Sequence, residues 1–165
     1  KHVQEGGYAE PNQLFVNEGR AGKWRFVERP AGDLERANVS RGMCKGDYDN
    51  DGDLDLLITN LDGRPALLRN ESNNDNNWLI VRLVGRGGNS QGIGAKIRVV
   101  AGDLEQTAEI VSGDSFLSHS DTRAHFGLAG QTRAEQIEVR WPDGQVQQLR
   151  DVAANQVLVV EKEML

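Results

Sequence analysis

The sequence predicts an all-β protein whose second half is an antiparallel β-sandwich. Three observations carry that prediction. Glycine makes up 19 of 165 residues, and turn-forming pairs recur at Asp51-Gly52, Asp62-Gly63, Gly102-Asp103, Gly113-Asp114 and Asp143-Gly144. The runs between these pairs are short and rich in β-forming residues. No stretch carries three turns of the apolar periodicity that an amphipathic helix requires.

In chain order, strands are expected at 13–17 and 24–28, then at 41–46 and 54–59 on either side of Asp51-Gly52, and at 66–70 after Asp62-Gly63. A run at 78–84 follows. Strands 95–100 and 107–111 flank Gly102-Asp103, and 124–128 comes after Gly113-Asp114. The best-defined pair is 136–141 with 145–149, closed by Trp141-Pro142-Asp143-Gly144. There Pro142 presets φ, Gly144 supplies φ > 0, and Ile137, Val139 and Trp141 alternate inward with Glu138 and Arg140 outward. A last strand is expected at 156–161. The polar stretch from Asn70 to Asn77 has no periodicity and suits a connection between two units, 1–75 and 76–165, both mainly antiparallel.

Charge narrows the possible partners. The chain has 19 basic and 25 acidic residues, a formal net charge of −6, and five of the acids fall between Asp47 and Asp55. The acidity is therefore local, and there is no basic stripe of the kind that nucleic acid requires. No apolar run approaches the roughly 18 residues of a membrane span, so membrane insertion is not expected. The single Cys44 excludes an internal disulfide framework and reads as a small buried hydrophobe.

The segment that carries chemistry is Asp47-Tyr48-Asp49-Asn50-Asp51-Gly52-Asp53-Leu54-Asp55, with carboxylates at positions 1, 3, 5 and 9 and a turn glycine at 6. This is calcium-loop spacing: a tightly wound loop aims alternate side-chain oxygens at one point, and position 7 offers its backbone carbonyl. Asp47, Asp49, Asp51 and Asp55 are the expected side-chain ligands, and Asp53 the expected carbonyl ligand. Position 12 is Ile58 rather than the glutamate of an EF-hand, and both flanks read as strands, so a strand-loop-strand site is expected. A metal-free acidic turn is the alternative. Mutual repulsion among five aspartates argues against it, with only Lys45 as a nearby base in the sequence.

The run from Ser40 to Asn60 resembles an FG-GAP (VCBS-type) repeat, a blade of integrin-α-like β-propellers, with Lys45-Gly46 where the family has Phe-Gly. The second unit resembles the ASPIC/UnbV domain of the cartilage acidic protein-like family. The likeness rests on the segments Gly92 to Ile97, Ser118 to Leu128 and Val139 to Gly144. Together the two likenesses cover residues 11–161, and the run from Asn12 to Asn17 looks like the tail of a preceding blade. The resemblance implies part of a propeller followed by a β-sandwich, bound calcium, an extracytoplasmic setting (secreted, periplasmic or cell surface) and a place at the C-terminal end of a longer protein.

The stretch Gly85 to Lys96 lacks Walker spacing and precedes a strand rather than a helix, so it is expected to be a turn and not a phosphate loop. His119 and His125, with Ser115, Ser118, Ser120, Asp114 and Asp121 nearby, sketch a triad without a nucleophile elbow. A shared strand face could make the two histidines a metal pair, but structural roles are favoured. Trp24, Trp78 and Trp141 could form a sugar platform, yet each sits in an apolar run that favours core packing. The sequons at Asn38 and Asn70 carry no assigned role. The expected function is a calcium-binding, non-catalytic adhesion or assembly module with a protein or glycan partner, and with further blades or other chains packed on residues 11–75. The alternative is an accessory carbohydrate-binding or scaffold subunit of a larger envelope enzyme complex.

Overall fold

A computed structural model describes residues 8–19, 23–72 and 74–164. Among these residues the chain forms twelve strands, one 3₁₀ turn at Gly32–Glu35 and no α-helix. Strands β1 (Leu14–Asn17) and β2 (Phe26–Arg29) pair as an antiparallel ribbon. Strands β3 (Ser40–Gly46), β4 (Asp55–Asn60) and β5 (Ala66–Leu68) form an antiparallel sheet in that order. The remaining seven are β6 (Asn77–Val84), β7 (Lys96–Ala101), β8 (Leu104–Glu109), β9 (Ala124–Ala129), β10 (Arg133–Arg140), β11 (Val146–Ala153) and β12 (Gln156–Glu161). They build two sheets, ordered β11-β10-β7-β8 and β12-β6-β9.

Those two sheets share one core, the arrangement of a β-sandwich. Leu79, Val81 and Leu83 of β6, Phe126 and Leu128 of β9, and Val160 of β12 pack in one cluster with Ile97 and Val99 of β7 and Ala134, Ile137 and Val139 of β10. A spacing of two along β6, β7 and β9 is the reason: alternate side chains share a face, and these are the apolar ones, while on β10 the step from Ala134 to Ile137 is three before alternation resumes at Val139. Each large side chain so buried contributes about 1.5–3 kcal/mol. Strand β6 departs from strict alternation, because Ile80 is also buried. Its opposite face lines a cavity of about 160 Å³ shared with Leu54, Asp47, Ile110, Arg123 and His125.

The expected hairpin is present. Trp141 N donates to Gln145 O at 2.8 Å, Gly144 N donates to Trp141 O at 2.9 Å, and Gly144 has φ +91°. Trp141 is buried, and its indole donates to Gln147 Oε1. Gln147 Nε2 in turn reaches Glu161 O at 3.0 Å and ties β11 to β12. The glycine-rich stretch after β6 is a turn, as expected: Asn89 bonds both the N–H and the carbonyl of Ile93 at 2.8 and 2.9 Å, and a strand follows.

Pairing is mainly antiparallel, as expected, with one exception: β12 pairs with β6 in parallel. Turn signals specify neighbouring strands only, and this pairing joins the first and last strands of the seven. Asn155, at φ 58°, fixes it by donating its N–H to Trp78 O at 2.7 Å and accepting from Trp78 N at 3.1 Å through its side chain. Trp24 is not in a core but 78% exposed. Its neighbours on the β1–β2 ribbon, Leu14, Phe15, Val16 and Phe26, are exposed as well. Cys44 is half-buried rather than buried, since β3 lies in a three-stranded sheet with only partial cover.

Two predictions follow from this packing. Ile137→Ala, at a fully buried central position, lowers unfolding free energy by about 2–5 kcal/mol. Val146→Ala on the exposed side of β11 stays within about 0.5 kcal/mol, with chemical denaturation reading both. Asp143 is held below the usual carboxylate range, first by its hydrogen bond from Lys162 and then by the amide of Gln145. A depressed value in the folded chain means that the pair stabilises fully above the ordinary Asp value of 3.8. The contribution is lost as pH falls through the folded value. An NMR titration should find Asp143 below 3.8 in the parent chain and higher in Lys162→Met. Identical midpoints would remove Lys162 as the cause.

Candidate metal centre

The register of one strand pair builds the acidic site. Gly46, the last residue of β3, lies opposite Asp55, the first of β4, so the loop between them leaves and returns at one point. Asp47 and Asp55 therefore stand side by side, each only 2% exposed. The loop turns through Asn50 at φ 60° and Gly52 at φ +99°. A Cβ on Gly52 would come within 2.0 Å of the Trp78 indole nitrogen, so both the backbone conformation and the close approach of Trp78 require glycine there.

Asp47 and Asp55 are satisfied by backbone amides. Asp47 accepts from Asp51 N at 3.2 Å and Gly52 N at 3.0 Å. Asp55 accepts from Tyr48 N at 3.1 Å and Asn70 N at 2.8 Å. Asp49 differs: both of its carboxylate oxygens are buried and accept no hydrogen bond. Arg69 Nε is 2.8 Å from Asp49 Oδ2, close enough for an ion pair but out of line for a hydrogen bond. Oxygen atoms of Asp47, Asp49 and Asp55 all lie within 4.8 Å of one another. At that distance and an effective dielectric of about 20, each pair of unit charges repels by roughly 3–4 kcal/mol. One guanidinium does not balance three such charges. The set is all oxygen, which suits a hard divalent cation, and these three aspartates could hold one.

Asp51 and Asp53 stand outside that group of three. Asp51 accepts from Asp53 N at 3.0 Å and faces Arg69 Nη2 at 3.4 Å. The Asp53 amide first, and Arg69 after it, hold the Asp51 carboxyl below its usual range. Arg69 is in turn held above its own range, foremost by the charge of Asp49.

The expectation that Lys45 alone offers nearby positive charge is corrected, because folding brings in Arg69 and Arg123. Arg123 Nη2 donates to Asp47 O at 2.6 Å and Nη1 to Asn50 Oδ1 at 2.8 Å, while Nε is held by Asp121 Oδ2 at 2.6 Å. His125 Nε2 lies 2.6 Å from Gly52 O, so that nitrogen carries the proton and donates it. The two histidines do not share a strand face: β9 begins only at Ala124, and His119 sits in the irregular segment before it. Nor do the serines form a triad. Ser115 Oγ accepts from Met43 N at 3.3 Å, and Ser120 Oγ accepts from Lys45 N at 3.1 Å, along the edge of β3 that β4 does not cover. The sequence does not mark Arg69, Arg123 or Trp78 as neighbours of the loop; Arg123 and His125 share only the segment Ser118 to Leu128 that carries the family resemblance.

Residues 85–164 match the family described as ASPIC and UnbV. The chain is also similar to cartilage acidic protein 1 of Homo sapiens, 32% identical over 132 residues that cover 78% of this chain and 20% of the human protein. Against the protein of that name from Mus musculus the identity is 32% over 121 residues, covering 71% of this chain and 18% of the relative. Against that of Xenopus tropicalis it is 31% over 141 residues, covering 82% and 22%. The likeness thus extends upstream of residue 85, and the chain spans about a fifth of the length of these relatives.

Gly52→Ala tests the loop geometry. The substitution forces a left-handed backbone on an L side chain and displaces Trp78, and is expected to lower stability by about 1–3 kcal/mol. Altered Trp78 fluorescence should accompany the loss. Parent-like stability and emission would show that the loop tolerates a side chain there.

Proposed function

We propose that this chain is a calcium-binding, non-catalytic module of an extracytoplasmic protein and that it serves adhesion or assembly. In this reading residues 1–75 are the end of an FG-GAP propeller, and residues 76–165 are an ASPIC/UnbV sandwich. Asp47, Asp49, Asp51 and Asp55 offer side-chain oxygens to the ion and Asp53 its carbonyl. The observation that carries the reading is Asp49, whose two buried oxygens accept no hydrogen bond and have only the Arg69 ion pair beside two further buried carboxylates. A buried acceptor left unmade costs on the order of 1–3 kcal/mol, more when charged, and a bound cation offsets that cost. The all-oxygen set and the loop's length suit calcium's six to eight ligands better than magnesium's tight octahedron.

The family match and the likeness to cartilage acidic protein 1 support placing this module in a longer protein. Exposed Leu14, Phe15, Val16 and Phe26 on β1–β2, with Leu57, Leu61 and Leu67 on or beside β4–β5, favour further blades or other chains packed on residues 11–75. A protein or glycan partner would then meet a surface held in one geometry by the ion. Among the described residues no helix is long and apolar enough to cross a membrane. The exposed Trp24 favours one second reading, a carbohydrate-binding accessory subunit in which that indole stacks on a sugar.

Calorimetric titration of chelator-stripped chain with calcium and with magnesium tests the proposal. Extracellular modules bind calcium with Kd of about 10⁻⁴ to 10⁻³ M. At ~1 mM calcium such affinities stabilise the folded state by roughly 0.4–1.4 kcal/mol. Calcium should give saturable heat, magnesium much less, and Asp49→Asn or Asp51→Ala should weaken the calcium signal. Equal or absent heats for both ions, unchanged by either substitution, would reduce the cluster to an acidic turn.

A further inference from the structure

The acidic loop is also gripped by Arg123 and His125, more than seventy residues along the chain, and their grips fall on its backbone or on an amide side chain rather than on a carboxylate. Arg123 holds the carbonyl of Asp47, where the loop begins, and the side chain of Asn50, one of its left-handed residues. His125 holds the carbonyl of Gly52, the other left-handed residue, and Trp78 lies against the same glycine. The Gly52 carbonyl belongs to the peptide immediately before Asp53, so His125 orients the chain entering that residue. Arg123 is itself oriented by Asp121, which accepts from both the backbone N–H and Nε of Arg123 at 2.9 and 2.6 Å. Asp121 N donates to Lys45 O at 3.0 Å, so the same segment also pins β3.

We propose that Arg123 and His125 are positioning residues for the ion loop, so that calcium binding and the docking of the β3–β4–β5 sheet on the two-sheet core are one linked equilibrium. The inference rests on the calcium reading of the loop given above. Two effects of Arg123 oppose each other. Its positive charge would repel a cation, whereas its hydrogen bonds hold the loop in the conformation that gathers Asp47, Asp49 and Asp55. The Asp121 carboxylate at 2.6 Å largely neutralises the charge, and neither loop acceptor of Arg123 is a carboxylate, so the geometric effect decides the sign. Linkage is reciprocal: whatever the docked sheet adds to ion affinity, the ion returns to docking.

The experiment uses the full chain with calcium alone as probe. Calorimetric titration is run on the parent, Arg123→Ala, His125→Ala and His125→Gln, and hydrogen exchange is followed with and without calcium. The informative peptide spans 112–123, which contains none of the five loop aspartates but contains the Asp121 amide bonded to Lys45. Arg123→Ala and His125→Ala are expected to weaken calcium binding about fivefold or more, the size typical of coupled sites. His125→Gln, which keeps a donor, should recover most of the affinity. Calcium should slow exchange of the Asp121 amide in the parent, a readout that requires no variant to fold. Affinity unchanged or tighter in both alanine variants, or an Asp121 amide indifferent to calcium in a parent that binds the ion, would overturn this inference and leave the calcium reading intact. A parent that takes up no calcium would overturn the calcium reading, and this inference with it.

Discussion

Three carboxylates drawn together where β3 ends and β4 begins constrain much of the surrounding chain. Antiparallel pairing of Gly46 with Asp55 leaves Asp47 and Asp55 no room to separate, and burial denies them water. Their charge is met by what lies within reach: the amides of Tyr48, Asp51, Gly52 and Asn70, and the guanidinium of Arg69 beside Asp49. The tight loop that supplies these amides needs left-handed backbone at Asn50 and Gly52. That conformation in turn exposes the loop carbonyls that Arg123 and His125 take up. The cluster is thus a local charge problem solved partly by residues more than seventy positions away.

The same region explains how β3 tolerates an edge without a neighbouring strand. Met43 and Lys45 point N–H groups away from β4, and the hydroxyls of Ser115 and Ser120 accept them. A backbone donor left unpaired there would cost about as much as a lost hydrogen bond. Close approach of this segment is possible because β3 carries glycines. A Cβ on Gly42 would meet Ser118 Oγ at 2.3 Å, and one on Gly46 would meet Asp121 Cβ at 3.1 Å. The serines that suggested a nucleophile in the sequence therefore finish a sheet edge.

The match over 85–164 covers the strands that carry Arg123 and His125 or lead into them, while the acidic loop lies upstream within the longer similarity to cartilage acidic protein 1. The exposed apolar side chains of β1, β2, β4 and β5 contrast with the closed core of β6 to β12.

Local chemistry was legible in the sequence because it depends on neighbours in the chain. All twelve strands fall within a few residues of the runs between turn signals, the Trp141–Gly144 hairpin follows from Pro142 and Gly144, and the aspartate spacing marked the loop that gathers Asp47, Asp49 and Asp55. Tertiary structure alone decided the rest. The parallel pairing of β12 with β6 depends on Asn155 reaching Trp78, across 77 residues. The roles of Arg69, Arg123 and His125 depend on which surfaces meet, and so does the fate of the tryptophans, with Trp141 buried, Trp78 against Gly52 and Trp24 exposed. Turn propensity and alternation act over a few residues and specify elements. The partners of a charge or an indole are set by where the chain returns in space, and no short-range pattern encodes that.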